Sequence, residues 1–253
     1  MRRARRALFA LLGGLAVTVS AMPAWAAALP ELKTSDANPV PACATPQTLM
    51  AFVAEHNTAL DPRFKDIAAL YESHGRKLGL RWDFAFFQML VETNYLTYEG
   101  SATRSDATKS SNNFAGIRTA DGDKPDRYSD ISNGVLAHLH HIRAYTGDPV
   151  AKPMAKRTKK VEGFLGDWAR GLKHPTRFDD MLGRWAPDSK TYIRALEQTA
   201  GAFQTAHCGG VIAAVSTPAP TATANSADDD DDDRGARRKG KRRVGKHDRK
   251  VPA

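Results

Sequence analysis

Residues 82–95 read WDFAFFQMLVETNY, and this stretch decides the fold. Apolar residues fill most of its positions, so a helix from about Trp82 to Tyr95 keeps little polar surface. A helix that is apolar on nearly all sides is buried inside a domain. Alternating runs of β-branched residues, which would indicate strands, are scarce elsewhere in the chain. The sequence therefore predicts a mainly α domain with this helix at its centre.

Further helix signals lie on both sides of this stretch. Asp61-Pro62 combines a capping side chain with proline at the first helical position, and Gly79 is a stop signal. The apolar residues at helical spacing between them are Ile67, Leu70, Tyr71 and Leu78. Later helices are expected over about Ser132 to Tyr145, 160–172 and 188–204. Residues 100–130 are rich in Gly, Asp, Ser and Asn, which predicts a loop with a short hairpin.

Two polar residues stand where the helical period predicts core. Gln88 and Glu92 are four residues apart and share one face of the helix. Glu92 lies near the helix C-terminus, whose partial negative charge disfavours a carboxylate, and its apolar neighbours disfavour ionisation too. Both effects favour the protonated form, which can donate a proton to a leaving oxygen. Glu92 is therefore a candidate general acid; a glutamate paired with a nearby arginine is the alternative interpretation.

A paired-asparagine turn follows over Asn112 to Ile117, which reads NNFAGI. Two asparagines before an aromatic residue and a glycine indicate a tight turn that enters a short extended segment. Asparagine amides in this place can bind sugar hydroxyls or N-acetyl groups. The simpler alternative is that both asparagines serve only the turn itself.

Four motifs of the chain occur in an order that resembles a known family. They are the helix end Gln88 to Thr93, the turn Asn112 to Ile117, Tyr128 followed by Gly134 to His138, and Trp185-Ala186 followed by Tyr192. Over about Asp61 to Phe203 this order resembles the bacterial glucosaminidase domain (mannosyl-glycoprotein endo-β-N-acetylglucosaminidase-like), glycoside hydrolase family seventy-three.

The resemblance implies a lysozyme-like helical fold with a short irregular or β-hairpin lobe, and peptidoglycan glycan strands as the partner. It implies that Glu92 donates its proton to the bond between N-acetylglucosamine and N-acetylmuramic acid. The residues expected along the glycan groove are Gln88, Asn113, Phe114, Trp185 and Tyr192.

The second catalytic group departs from the family pattern. Better-known members place a second carboxylate after the turn, whereas Thr119 to Tyr128 contains no Glu. The nearby acids are Asp121, Asp123, Asp126 and Asp130, with Glu99 further away. We expect Asp121 to act as base or electrostatic partner; assistance by the substrate's N-acetyl group is an equal alternative. A lytic transglycosylase, which needs one carboxyl group, and a non-catalytic wall-binding module are the other hypotheses.

Both ends of the chain differ from its middle. Residues 1–26 combine four arginines, a short apolar run and Ala24-Trp25-Ala26, which predicts a cleaved secretory signal peptide rather than a retained anchor. An irregular lead-in over 27–45, the glucosaminidase-like domain over 46–210 and a disordered acidic and basic tail over 211–253 follow. The expected location is periplasmic or extracellular. Cys43 and Cys208 bracket the domain and are expected to form a disulfide there; two free thiols are the alternative.

The formal net charge of +9 comes largely from the two ends of the chain. Without the four signal arginines it is +5, and the tail from Asp228 carries ten Lys and Arg against seven Asp, or +3. The nearly neutral middle argues against a specific nucleic-acid-binding domain. The basic tail can contact anionic wall polymer or a membrane surface, and a merely solvated tail is as strong an interpretation. We expect a monomer.

A histidine cluster, H-x-H-H, is the one metal-like pattern, formed by His138, His140 and His141. His138 and His141 have the spacing of zinc ligands on a helix. No H-E-x-x-H accompanies them, and His138 fits the helix motif of the family. We therefore expect no metal and no other cofactor.

Overall fold

The computed structural model describes residues 29–100 and 109–209. Their regular secondary structure is helical, which confirms the predicted mainly α fold. The helices are α1 Pro46–His56, α2 Ile67–Leu78, α3 Trp82–Thr93, α4 Ile131–Ala144, α5 Lys156–Arg170, α6 Phe178–Trp185 and α7 Ser189–His207. One-turn 3-10 helices lie at Pro62–Phe64 and Lys109–Ser111. The predicted signal peptide and tail fall outside the described residues, among which no helix is long and apolar enough to cross a membrane.

Helix α3 is the centre of the domain, as its sequence predicts. Every one of its residues from Trp82 to Thr93 is buried. It packs against α2, α4 and α7, so it is covered on several sides. The polar side chains of α3 are consequently held inside the protein, where each needs a hydrogen-bond partner.

The start of the preceding helix differs from the prediction. The Asp61 carboxylate accepts from the backbone N–H of Arg63 and caps only the 3-10 turn Pro62–Phe64. Helix α2 begins after it, at Ile67, and ends as predicted at Gly79, which has φ 65°. Two helices were not predicted individually, α1 and the short α6. An eight-residue helix spans barely two turns, too few to establish a period in the sequence.

The lead-in over 27–45 contains no helix in its described part, yet it is fixed to the domain. Leu32 is fully buried and exchanges backbone hydrogen bonds with Thr176 and Arg81. The predicted disulfide between Cys43 and Cys208 is confirmed, with an S–S distance of 2.09 Å and a Cα–Cα distance of 5.3 Å. It joins the lead-in to the end of α7.

The predicted hairpin forms a small lobe between the asparagine turn and α4. An isolated antiparallel bridge pairs Arg118 with Pro125, and the backbone of Thr119 donates to Lys124. The asparagine turn lies directly on α4 because Gly134 has no side chain. A Cβ atom at Gly134 would stand 1.9 Å from the carbonyl oxygen of Asn112. The glycine of the fourth helix therefore sets how closely the lobe approaches the helical core.

Candidate active site

Glu92 lies in the last turn of α3, and only 4% of the residue is exposed. The indole N–H of Trp185 donates to its Oε1 across 3.1 Å. The hydroxyl of Tyr192 donates to the same oxygen. Trp185 ends α6 and Tyr192 lies in the first turn of α7, so residues distant in sequence meet at one carboxyl oxygen.

The two donors determine how a protonated Glu92 would be arranged. Because Oε1 accepts two hydrogen bonds, the proton of the neutral acid belongs on Oε2. Burial raises the pKa of the Tyr192 phenol well above its usual range, and the charge of Glu92 raises it further. Tyr192 therefore keeps its own proton and remains a donor to Glu92 across the physiological range.

A second layer of polar side chains, formed by Tyr71, His138 and Gln88, lies beyond the two donors to Glu92. The Tyr71 hydroxyl lies 2.8 Å from Nδ1 of His138, and Nε2 of the same ring lies 3.3 Å from Oε1 of Gln88. Burial, followed by the charge of His141, lowers the pKa of His138 to about 3, so the ring is neutral. An amide oxygen can only accept, so Nε2 carries the ring proton and Tyr71 donates to Nδ1.

Gln88 connects the second layer to the first. It is fully buried, and its Nε2 has no hydrogen-bond partner of normal geometry. The Gln88 amide nevertheless lies close enough to the Tyr192 hydroxyl to lower the pKa of that phenol slightly against the larger effect of burial. Hydrogen bonds thus run from Tyr71 to His138 and from His138 to Gln88, and a separate one runs from Tyr192 to Glu92.

The chain turns in a strained conformation immediately after Glu92. Asn94, Tyr95 and Leu96 have φ values of 46°, 55° and 65°, a left-handed run of three residues without glycine. Such residues cost free energy and persist only where the surroundings hold them. Thr93 stabilises this turn. Its hydroxyl donates to the carbonyl oxygen of Met89 across 2.8 Å and accepts from the backbone N–H of Leu96 across 3.0 Å. Strain of this kind concentrates at functional sites.

The structure corrects the predicted role of the asparagine turn. Asn113 is fully buried; its Nδ2 donates to the carbonyls of Ile117 and Asp126, and its Oδ1 accepts from the backbone of Ala115 and Ile117. Phe114 is 1% exposed and packs edge-on against Phe64. Both residues were expected along the glycan groove, but their side chains are used inside the protein. They support the lobe, as the turn-chemistry alternative proposes.

Asp121 also has a local role. Its carboxylate accepts from the Thr119 hydroxyl and from the backbone N–H of Asp123 at the exposed tip of the hairpin. These hydrogen bonds, that of Thr119 first, lower the pKa of Asp121, so it is ionised at neutral pH. Among the described residues no contact joins Asp121 to Glu92, Trp185 or Tyr192. Its predicted role as second catalytic group therefore has no geometric support, and Glu99, an exposed residue, has none either.

The three histidines of α4 diverge instead of forming one site. His138 faces Tyr71 and Gln88, whereas Nδ1 of His141 lies 2.8 Å from the Thr158 hydroxyl. Nδ1 of His140 accepts from the backbone of Met154. Within residues 29–100 and 109–209, no group of three His, Cys, Asp or Glu side chains is arranged to hold a metal ion.

Four of the predicted site residues come together, namely Gln88, Glu92, Trp185 and Tyr192. Tyr71, His138 and Tyr98 belong to the same region but were not predicted for it. The Tyr98 hydroxyl is buried with no hydrogen-bond partner, and its charge would raise the pKa of Tyr71, after the effect of burial. Tyr71 and His138 could have been found in the sequence by the criterion that identified Gln88, namely a polar group at a position where the helical period predicts core.

Comparisons with known proteins leave the family open. No family model matches the chain, and no solved structure matches it. An uncharacterized protein of Borreliella burgdorferi is 29% identical over 154 residues, which make up 60% of this chain and 69% of that relative. The resemblance to the glucosaminidase domain therefore rests on the motifs of this chain and remains a prediction.

Proposed function

We propose that the protein is an exported peptidoglycan hydrolase that cleaves β-1,4 glycosidic bonds of the glycan strand as an endo-β-N-acetylglucosaminidase. Glu92 is its general acid. The observation that carries the proposal is the buried carboxyl group of Glu92 with two donors on a single oxygen. The two donors fix the orientation of the carboxyl group inside the protein, as a positioned general acid requires.

The surroundings of Glu92 support a sugar substrate. Trp185 is half-buried, so part of its ring is accessible beside the acid, and aromatic faces are apolar surfaces on which sugar rings stack. Gln88 Nε2 and the Tyr98 hydroxyl are buried without partners. Buried polar groups without partners are rare because each costs free energy, and ligand hydroxyl groups would satisfy them.

The disulfide supports the exported location. Cytosolic reductants keep most thiols reduced, whereas exported proteins retain disulfides. Cys43 and Cys208 are bonded in this protein, in agreement with the signal peptide predicted from residues 1–26.

The first test is digestion of purified peptidoglycan by the protein and by Glu92→Gln, with mass spectrometry of the products. Glutamine keeps the size of the side chain and an oxygen that can accept from Tyr192, but it has no acidic proton. We expect fragments with reducing N-acetylglucosamine ends from the protein and a loss of at least about 100-fold in rate from the variant. Glu197→Gln, on the exposed face of α7, is the matched control and keeps full activity.

Two results would contradict the proposal. Equal digestion by the protein and Glu92→Gln removes Glu92 from the role of acid. Absence of digestion by either protein, with wall fragments still bound in a sedimentation assay, favours a non-catalytic wall-binding module.

A lytic transglycosylase of the same fold is the second candidate. The observation that favours it is the lack, in the described part of the chain, of a second carboxylate among the residues that contact Glu92. Among the described residues, Glu92 is the carboxylate whose charge raises the pKa of Tyr192, after burial, and that of Tyr71, after burial and the charge of Tyr98. Anhydro-muramic ends in the same digestion would assign this reaction, because a hydrolase leaves a reducing sugar.

A further inference from the structure

A cavity of about 630 Å³ lies between the hairpin lobe and the start of α5, apart from the residues around Glu92. Small-molecule sites typically have a volume of about 300–1,000 Å³, so the size of this cavity suits a short peptide or one sugar unit. Its wall includes Asp121, Asp126, Arg127, Tyr128 and Lys156. None of Gln88, Glu92, Trp185 and Tyr192 lines it.

The lobe side of the cavity wall carries two carboxylates, Asp121 and Asp126, beside one cation, Arg127, and α5 contributes Lys156. Asp121 and Asp126 come from the hairpin, and hydrogen bonds from Thr119 and Asp123 lower the pKa of Asp121 and keep it ionised. Lys156 is the first residue of α5 and is exposed. Among the described residues Lys156 has neither an ion-pair nor a hydrogen-bond partner. The lobe side of the cavity therefore has a net negative charge, and the α5 side is positive.

The start of α5 strengthens the cationic side. Its N-cap residue, Ala155, has no side chain to cap the helix, and the first turn contains no acidic residue. The first N–H groups of a helix lack partners inside it and carry partial positive charge. Cations in the following positions, Arg157, Lys159 and Lys160, add to that field instead of balancing it. A carboxylate in the cavity beside Lys156 would balance the field.

Tyr128 provides an unused polar group in the same wall. Its hydroxyl is buried and has no hydrogen-bond partner. Burial raises the pKa of this phenol, so it stays protonated and can donate. The ring packs on a small apolar cluster of Ala115, Ile117, Ala137 and Ala155, and Trp185 packs against the same cluster. The same cluster thus contacts one residue of the cavity wall, Tyr128, and one residue of the Glu92 site, Trp185.

We infer that the cavity is a subsite for a zwitterionic peptide, with a carboxylate at Lys156 and the start of α5 and an ammonium group at Asp121 and Asp126. The inference rests on the proposed function, because the sugar strands of peptidoglycan carry short stem peptides that present both groups. A four-residue peptide spans up to about 14 Å when extended, enough to reach past one layer of side chains. The cavity selects peptide-bearing strands over bare glycan.

The test measures binding of a free stem tetrapeptide, alanyl-γ-glutamyl-diaminopimelyl-alanine, by calorimetry to the purified protein and its variants. Lys156→Gln and Asp126→Asn each remove one charge from the wall. The matched controls are Lys159→Gln and Asp123→Asn, at exposed positions on the same elements outside the wall. We expect about three- to tenfold weaker binding for each wall variant and unchanged binding for each control.

Digestion of peptide-bearing and peptide-stripped glycan by the same variants provides the second readout. The wall variants raise KM for peptide-bearing glycan and leave KM for stripped glycan and both kcat values unchanged. No tetrapeptide binding, or binding equal in all variants, overturns the inference. Selective loss of binding without digestion of either glycan supports the peptide subsite and refutes the proposed function, so the two failures are distinguishable.

Discussion

The hydroxyl of Tyr192 is the residue-scale feature that most directly controls Glu92. Tyr192→Phe removes the donor to Oε1 and keeps the ring that packs in the core. Glu92 becomes ionised as it gives up its proton, and a hydrogen bond to an ionised group contributes about 1.5–3 kcal/mol. We therefore expect kcat to fall roughly 10- to 100-fold, with little change in KM. The measurement is the rate of release of reducing ends from purified peptidoglycan.

Tyr145→Phe is the matched control for that variant. Tyr145 is buried like Tyr192, and its ring lies 6.1 Å from that of Trp185. We expect it to keep most of the activity. Equal losses in Tyr145→Phe and Tyr192→Phe would mean that packing around Trp185, and not the hydrogen bond to Glu92, determines the rate.

His138 makes the stability of the protein depend on pH. Burial, with the charge of His141, lowers its pKa from the ordinary 6.5 to about 3. Between these values the unfolded state binds the proton and the folded state does not, so stability decreases as the pH falls below 6.5. We expect this group to reduce the free energy of unfolding by about 2 kcal/mol between pH 7 and pH 5.

Urea unfolding at the two pH values measures this effect. His138→Gln destabilises the protein at both pH values, but the difference between them decreases by about 2 kcal/mol, because glutamine does not titrate. If the free energy of unfolding of His138→Gln still changed between pH 7 and pH 5 as much as that of the unmodified protein, the His138 ring would not be held in its neutral form.

The contact between the asparagine turn and α4 is the element-scale feature that aligns the lobe. Gly134→Ala would place a Cβ atom 1.9 Å from the carbonyl oxygen of Asn112, so the turn or the helix must move. Overpacking of this kind costs about 1–3 kcal/mol, and we expect a lower urea midpoint together with slower peptidoglycan digestion. Gly163→Ala is the control on α5, where nothing lies within 4 Å.

The control variant changes stability in the opposite direction. Alanine restricts the unfolded chain and favours the helix, so Gly163→Ala gains about 0.5–1 kcal/mol. If both alanine variants gained stability, the turn would not be held against α4 through Gly134, and the lobe would be free to adjust.

The elements that could be predicted from the sequence are those with a strong local signal. Helix α3 was predicted because nearly every position is apolar, and Gln88 and Glu92 were identified because they break that pattern. Asn113 was expected along the glycan groove and Asp121 as the second catalytic group, yet the direction of each side chain depends on the tertiary fold. The Tyr71–His138 contact joins residues 67 apart in the chain, and no spacing in the sequence indicates it.

At the scale of the whole molecule, the disulfide between the lead-in and the end of α7 lies far from the candidate site. The Cys43–Cys208 disulfide closes a loop of 165 residues at the end of α7, whereas Tyr192 lies near the beginning of that helix. Cys208 is sixteen positions after Tyr192, so with a rise of 1.5 Å per residue the two are separated by about 24 Å. The disulfide and the candidate site therefore lie at different ends of one helix.

Removal of the disulfide tests this separation. Replacing both Cys43 and Cys208 by alanine frees the unfolded chain, and loop closure over 165 residues predicts a loss of about 5 kcal/mol in the chain-entropy model. We expect a much lower urea midpoint for the double variant than for the unmodified protein. Added reductant leaves the midpoint of the variant unchanged and lowers that of the unmodified protein to the same value. At low temperature the folded variant keeps the kcat of the unmodified protein, because Glu92, Trp185 and Tyr192 remain in place. A variant that stays folded but loses kcat would show instead that the joined ends position the active site along α7.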